Sequence, residues 1–471
     1  MPTPGAPAET GTRSAPSRWL ALAVLCGGML MIILDGAIVS VALPALQADL
    51  GFTPAGLAWT VNAYLVPLGG LLLLAGRLGD LYGRRRMLLA GLTLFVLASL
   101  LCGLATSAAM LVIARFVQGV AAAMASAVVL GMIVALFPEQ GGRARAMGVY
   151  AFVGAAGASL GTLLGGVLTQ TVGWRWIFLV NIPIGVAAVA LALWVVEPDR
   201  PADRAGRPDV LGGLLVTAGL VLLVLAIVDS STTAVRLGLA VIAVVLLAVF
   251  VARQRRAAEP LVRLGIFASR AVSGGNVVQL LTVAGMMGFQ FAAALYLQES
   301  LGYTPAQTGF AMLPIPVTIA VISLMLSGRL IARAGARPVL LVGEVLLVAG
   351  LLLLVRPVTG SYVVDVLPSM LVLGVGAGLM LPAVTTVMMS DATPSEAGLA
   401  SGLANTSQQV GAALGVATLA ALAAARTDAL VAGGSAPEMA LSSGYRLAFA
   451  ASAILVAVGT VLAWAVLRRR S

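Results

Sequence analysis

The sequence predicts an all-α membrane protein of two similar six-helix halves with two further helices inserted between them. Three observations carry this. Hydrophobic residues fill 60% of the 471 positions and charged residues only 10%, whereas a water-soluble domain carries about a quarter of its residues as Asp, Glu, Lys and Arg. Apolar stretches of about 20 residues, the length that crosses about 30 Å of hydrocarbon, recur at about fourteen places. Finally, GRLGDLYGRRR at Gly76–Arg86 returns 252 positions later as GRLIARAGARP at Gly328–Pro338.

The composition also excludes several chemistries. Every basic residue is Arg, and there is no His. Proton chemistry therefore falls on carboxylates, since the side chain that titrates near neutrality is missing. Catalytic Ser-His-Asp and Cys-His sites and histidine-ligated metals are excluded for the same reason. Cys26 and Cys102 each lie in an apolar run without the close spacing of a metal or redox motif, and read as buried bystanders. No GxxxxGK[ST] loop is present, so ATP is not the direct energy source. No cofactor and no enzymatic activity are expected.

Residues 1–18 are rich in Pro, Ala, Gly and Thr and read as a disordered cytoplasmic tail. The apolar run from Leu20 to Ala45 is too long for a signal-peptide core and reads as an uncleaved first span. Spans are expected at 19–45, 56–76, 87–106, 109–136, 145–169, 177–196, 210–228, 236–252, 273–298, 306–331, 338–355, 362–388, 398–424 and 446–466. An even number puts both termini on one side. With that side cytoplasmic, roughly 22 Arg fall on inner segments and roughly 5 on outer ones, with Arg115 inside a span. The inner groups include Arg84–Arg86, the 200–207 stretch, the Arg253–Arg256 cluster and Arg468–Arg470. The net charge of +10 thus reflects topology in a multi-pass cytoplasmic-membrane protein, with anionic lipid headgroups as neighbours and no nucleic acid.

A second repeat strengthens the two-half plan: MGVYAFVGAAGASLG from Met147 returns 254 positions on as SGLANTSQQVGAALG from Ser401. Six spans and their loops need only about 200 residues at 1.5 Å rise per residue. The surplus of about fifty is filled by two extra spans within 210–252, almost free of polar side chains and read as lipid-facing. The expected divisions are 19–200 for the first half, 201–270 for the inserted pair with its flanking loops, and 271–471 for the second half. Parallel six-helix repeats are the plan of a major facilitator protein.

Motifs in order along nearly the whole chain resemble the fourteen-helix drug:proton antiporter family of the major facilitator superfamily, the EmrB/QacA type. LDGAIVSVALPALQADL (Leu34–Leu50) is similar to that family's first-helix motif. GRLGDLYGRRR is similar to the superfamily's cytoplasmic-loop motif, and the resemblance implies a gate at Gly76, Asp80, Gly83 and Arg84 that latches the inner side; the second copy has Ala332 in place of Asp80. RFVQGVAAAMASAV, from Arg115, resembles the fourth-helix motif. GASLGTLLGG (Gly157–Gly166) resembles the antiporter motif through Gly157, Gly161, Gly165 and Gly166, but has Thr162 where the family has Pro. WRWIFLVNIPIG from Trp174 reads as an interfacial aromatic anchor. Pro314 and Pro316 are expected to interrupt span ten.

A guanidinium inside a span costs at least about 2.5 kcal/mol, so Arg115 needs a partner. Asp35 is the expected one, directly or through water or Gln118. An adjacent cation favours the carboxylate and desolvation favours the acid, so a carrier that alternates these environments would couple transport to protons. The alternative is a static ion pair that fixes packing. Glu344 is the other carboxylate deep in an apolar run and a further candidate for proton coupling or substrate contact, expected to face a cavity, pair with an Arg, or lie near enough to the inner end to be hydrated. Asp229, Glu299 and Asp365 sit at span ends and read as hydrated.

A lipophilic substrate wants an apolar cavity with a few convergent polar groups. The expected contributors are Asn62, Tyr64, Gln118, Gln279, Met286, Gln290, Asn405 and Gln408, for each of which helix-helix bonding is an equal alternative. The reading is proton-coupled efflux of a small lipophilic drug by a monomer in the bilayer. The alternatives are a dedicated exporter of an endogenous metabolite or lipid and, in another class, a non-transporting sensor or membrane enzyme, for which no soluble domain or convergent acid-His-Cys cluster is visible.

Overall fold

Glycine, proline and charged residues punctuate the apolar runs, and helices form between them. The structure is a computed structural model and describes residues 15–54, 56–197, 208–228, 232–356, 362–390 and 397–467. Among these, fourteen helices are long and apolar enough to cross a membrane: α1 (Arg18–Leu50), α2 (Gly56–Tyr82), α3 (Arg84–Gly103), α4 (Ala108–Leu136), α5 (Gly141–Thr171), α6 (Trp176–Val195), α7 (Val210–Val228), α8 (Thr233–Arg256), α9 (Arg270–Ser300), α10 (Pro305–Ala334), α11 (Ala336–Leu353), α12 (Tyr362–Met389), α13 (Gly398–Ala432) and α14 (Pro437–Val466).

Each expected span coincides with one helix, but several ends differ. Helical structure begins at Ala15, so positions 15–18 of the expected tail belong to the first helix. The rest of that tail, the 200–207 arginines, Asp229 and Arg468–Arg470 lie outside the described residues. The helix expected from residue 446 starts at Pro437, with Pro in its first turn and Glu438 beside it. Both favour a helix start, yet neither registers as hydrophobicity. Span ten is interrupted at Leu313, ahead of Pro314 and Pro316, as expected.

The two halves repeat one packing plan. Helix α1 packs on α5 and α6, α2 on α4, and α3 on α4 and α6; eight helices later, α9 packs on α13 and α14, α10 on α12, and α11 on α12 and α14. Across the halves, α2 meets α13 and α5 meets α10. The repeated motif is repeated in space too. Gly83 and Gly335 turn the chain at φ 109° and 86°, a region that side-chain-bearing residues rarely enter. Just beyond each turn, Arg85 Nη2 donates to Leu193 O on α6 at 2.7 Å, and Arg337 Nη2 donates to Trp464 O on α14 at 2.7 Å.

The inserted pair divides its roles. Helix α8 exposes Val241, Ile242, Val244 and Val245, as a lipid-facing span should. Helix α7 departs from that expectation: it packs on α2 and α13 as well as on α8, with Gly70 against Thr217 and Gly213 against Leu74. At its start, Asp209 accepts hydrogen bonds from Gly212 N (2.9 Å), Arg253 Nε (2.6 Å) and Gln254 Nε2 (2.8 Å). Burial alone would raise the Asp209 carboxyl, but the bonds from Arg253, Gly212 and Gln254 outweigh it and hold the group below its ordinary value.

Two stability predictions follow from this packing. Gly415 lies against the backbone of Ala284, whereas Gly27 has open space around its Cα. Gly415→Val should therefore lower the thermal midpoint in detergent, by an overpacking cost of about 1–3 kcal/mol, while Gly27→Ala leaves it unchanged. Because the Asp209 carboxyl is depressed in the folded state, its contribution is present above the unfolded value of about 3.9 and is lost as pH falls through the folded one. The gap in thermal midpoint between the native protein and Asp209→Asn should be widest near neutrality and close on acidification.

Candidate functional site

Asp35 on α1 and Arg115 on α4 are 0% and 1% exposed, and they meet inside the first half. Arg115 Nη1 donates a charge-assisted hydrogen bond to Asp35 Oδ2 and a second to Gln118 Oε1 at 2.7 Å. Its Nε donates to Thr60 O on α2 at 3.0 Å. Above the guanidinium lies the Tyr64 ring, 4.4 Å from ring centroid to guanidinium carbon, with Phe178 at 5.7 Å, a cation-π geometry. The other carboxylate oxygen, Asp35 Oδ1, accepts from Gln118 Nε2 and from Asn181 Nδ2, both at 2.8 Å. Gln118 Nε2 also reaches Ser99 Oγ on α3 at 2.8 Å. Five helices thus converge on one ion pair. A carboxylate with three donors is built for the anionic form; to take up a proton it must exchange its bond to Arg115.

The antiporter-motif glycines explain how α1 is held there. A Cβ on Gly157 would meet Leu30 and Ile33, one on Gly161 would meet Leu34 O and Ala37, and one on Gly165 would meet Ile38. These three press α5 onto the stretch of α1 that carries Asp35, while Gly166 faces Pro305 and Ala306 of α10. Thr162 Oγ1 donates to Ala158 O at 2.9 Å, and α5 runs on unbroken. A proline there would remove a backbone donor.

In the gate motif, Arg84 Nη2 and Nε donate to Asp80 Oδ1 at 2.9 and 3.1 Å, and Arg84 Nη1 donates to Gly131 O on α4 at 3.2 Å. Gly76 lies beside Ala127, so these contacts stay within the first half. Arg77 of the same motif pairs with Glu259 in the α8–α9 connection.

Other expectations change. Tyr64 and Gln118 lie in the ion-pair cluster, Tyr64 Oη donating to Ile32 O at 3.1 Å. Asn62, Gln279 and Met286 are buried; Gln290 and Gln408 are half-buried, and Asn405 is exposed. Glu344 is neither hydrated nor paired with an Arg: it is fully buried, and its Oε1 accepts from Thr282 Oγ1 at 2.7 Å. Trp174, expected as an interfacial anchor, is buried, its Nε1 donating to Asp49 Oδ2 at 2.9 Å; Trp176, 49% exposed, is the outward ring of that stretch. Glu299 borders a cavity of about 200 Å³ with Gln47, Leu57, Phe291, Asp428 and Tyr445, and accepts a hydrogen bond from Tyr445 Oη. Sequence reasoning missed Asn181 and Ser99 altogether. Their only signal was a polar side chain in an apolar run, which a satisfied packing residue gives equally.

Removing one member of the pair leaves a buried charge. Arg115→Ala should destabilise the protein by about 3–5 kcal/mol, and the double variant Asp35→Asn/Arg115→Ala by less than the sum of the single ones, as read by thermal unfolding in detergent.

The geometry of this helical bundle has clear relatives. A family model described as the Major Facilitator Superfamily matches residues 25–416. The puromycin resistance protein of Streptomyces alboniger is 38% identical over 467 residues, covering 97% of this chain and 92% of that protein. The cephamycin export protein of Amycolatopsis lactamdurans is 36% identical, over 96% and 94% of the two chains. Among solved structures, a bacterial homologue of the human lysosomal transporter Spinster, inward-facing and occupied, aligns with a TM-score of 0.69 at 15% identity, covering 97% of this chain and 98% of that one; this is a likeness of fold alone. The chain belongs to the Major Facilitator Superfamily.

Proposed function

We propose that this chain is a proton-coupled exporter of small lipophilic drugs or antibiotics, working as a monomer in the cytoplasmic membrane with both termini inside. The observation that carries the coupling is the buried Asp35–Arg115 pair, a carboxylate deep within the first half that can exchange a guanidinium for a proton. The names of its relatives, which include antibiotic resistance and export proteins, support efflux as the direction. An exporter dedicated to one endogenous metabolite is the second reading, favoured by the relative named for cephamycin export.

The Arg-rich face is read as cytoplasmic. On the opposite face the halves are tied together, Gln298 Nε2 donating to Val41 O at 2.9 Å and Ala306 N to Gln170 Oε1 at 3.1 Å. That supports a state closed to the outside, with 19–200 and 271–471 rocking about the substrate. In the cycle, Asp35 takes a proton from outside and gives up its bond to Arg115, whose remaining bonds to Gln118 and Thr60 O hold the guanidinium; substrate leaves. Loss of the proton inward remakes the pair and resets the carrier. The arginines and glycines of the gate motif lock the inner ends of α2, α3 and α4 so that they move together.

Proteoliposomes with an imposed pH gradient, tested with a panel of lipophilic dyes and antibiotics, check this reading. Asp35→Asn should reduce gradient-driven transport to the leak of protein-free liposomes. Full retention in the variant would remove Asp35 from the mechanism, and transport indifferent to the gradient would remove antiport.

A further inference from the structure

We infer that Glu344 is a second proton-binding site, in the second half, which holds its proton in the state described and releases it toward the Arg-rich face when α9 and α14 part. The consequence for transport rests on the antiport reading above; the protonation itself does not.

The hydrogen-bond polarity around Glu344 matches the acid. Its Oε1 accepts from Thr282 Oγ1 on α9, and its Oε2 receives no hydrogen bond. The other hydroxyl beside it is Thr460 on α14, but Thr460 Oγ1 gives its hydrogen to Val456 O at 2.9 Å. A hydroxyl that donates there keeps lone pairs free to accept from an acid O–H. An ionised carboxylate would leave Oε2 buried without a donor, whereas a protonated one carries a hydrogen of its own for a neighbouring hydroxyl oxygen to accept.

Nor does any cation among the described residues neutralise the site. No charged residue lies on α9 between Arg270 and Glu299, on α12 beyond Asp365, or on α14 between Arg446 and its end. Tyr296 and Tyr445 stack on each other at the far end of α9. Arg329 and Arg333 stand at the basic end of α10. The nearest charge on α11 itself is Arg337, about 10 Å along the helix and committed to Trp464 O. A buried charge so isolated takes up a proton in preference. Asp35, with a guanidinium and two amide donors, is the opposite case.

The α9–α14 seam offers the way out. Opposite Thr282 stands Gly459, where a Cβ would come within 3.2 Å of Thr282 Oγ1, so no side chain fills the gap when the helices separate. Gln279, one turn from Thr282 toward the basic face, has a buried Oε1 without a partner. Water entering along Gln279 takes the proton as the Glu344 O–H bond breaks, leaving a hydrated carboxylate on the side of Arg337.

Two measurements on the reconstituted full-length protein test this. In infrared difference spectra at neutral pH, Glu344→Gln should remove a protonated-carboxyl C=O band; loss of carboxylate bands alone overturns the assignment. If that variant does not fold, Glu344→Asp replaces it, and a shifted acid band supports the assignment where a carboxylate band overturns it. Reversal potentials should then give one proton fewer per substrate in the variant, and an unchanged stoichiometry overturns proton exchange. If instead Asp35→Asn kept full coupling, the antiport reading would fall while the infrared result for Glu344 stood.

Discussion

A guanidinium and a carboxylate sealed together away from water constrain the whole first half. Neither tolerates burial alone, so the helices that carry them must be held at a fixed approach, and the remaining valences of both must be filled by neighbours. Thr60 O, Gln118, Ser99 and Asn181 fill them, which commits one face each of α2, α3, α4 and α6 to the pair. The glycines of α5 then clamp α1 from the other side. A bond that must be broken to accept a proton sits where five helices meet, so a change at that bond is felt by all of them.

The second half copies the frame without copying this chemistry. The helix contacts recur with an offset of eight, as do the glycine turn and the arginine that reaches a carbonyl on the last helix of each half. The acid does not recur: Glu344 stands on α11, and its hydrogen-bond partner is the Thr282 hydroxyl. Duplicated scaffolds allow this, because backbone packing depends on small residues and helix ends while the polar interior depends on single side chains. Each half can therefore carry a carboxylate in a different hydrogen-bonding environment.

The inserted helices are more than a spacer. Helix α7 fills the side of the α2–α13 contact, and its first turn is fastened to the end of α8 through Asp209. Gln254 accepts a bond from Val262 N in the connection that follows, and Arg77 of the gate motif pairs with Glu259 in that same connection. Arg77 thereby ties the inner end of α2 to the segment that leads into the second half.

The sequence by itself determined the membrane, the helix number, the duplicated plan and the partnership of Asp35 with Arg115. All four follow from large free-energy terms: apolar surface that water would not accept, charge asymmetry across a bilayer, and the cost of an unpaired guanidinium. Only the tertiary structure decided what depends on which way a helix is turned. Asn181, Ser99, Tyr64 and Gln118 gather at the ion pair, Trp174 turns inward, α7 packs, and Glu344 finds a hydroxyl instead of an arginine. A neutral polar side chain in an apolar run costs about the same to insert whether it meets a carboxylate, a backbone carbonyl or a ligand. Its role is therefore set by its neighbours across the bundle, and those are fixed only when the helices pack.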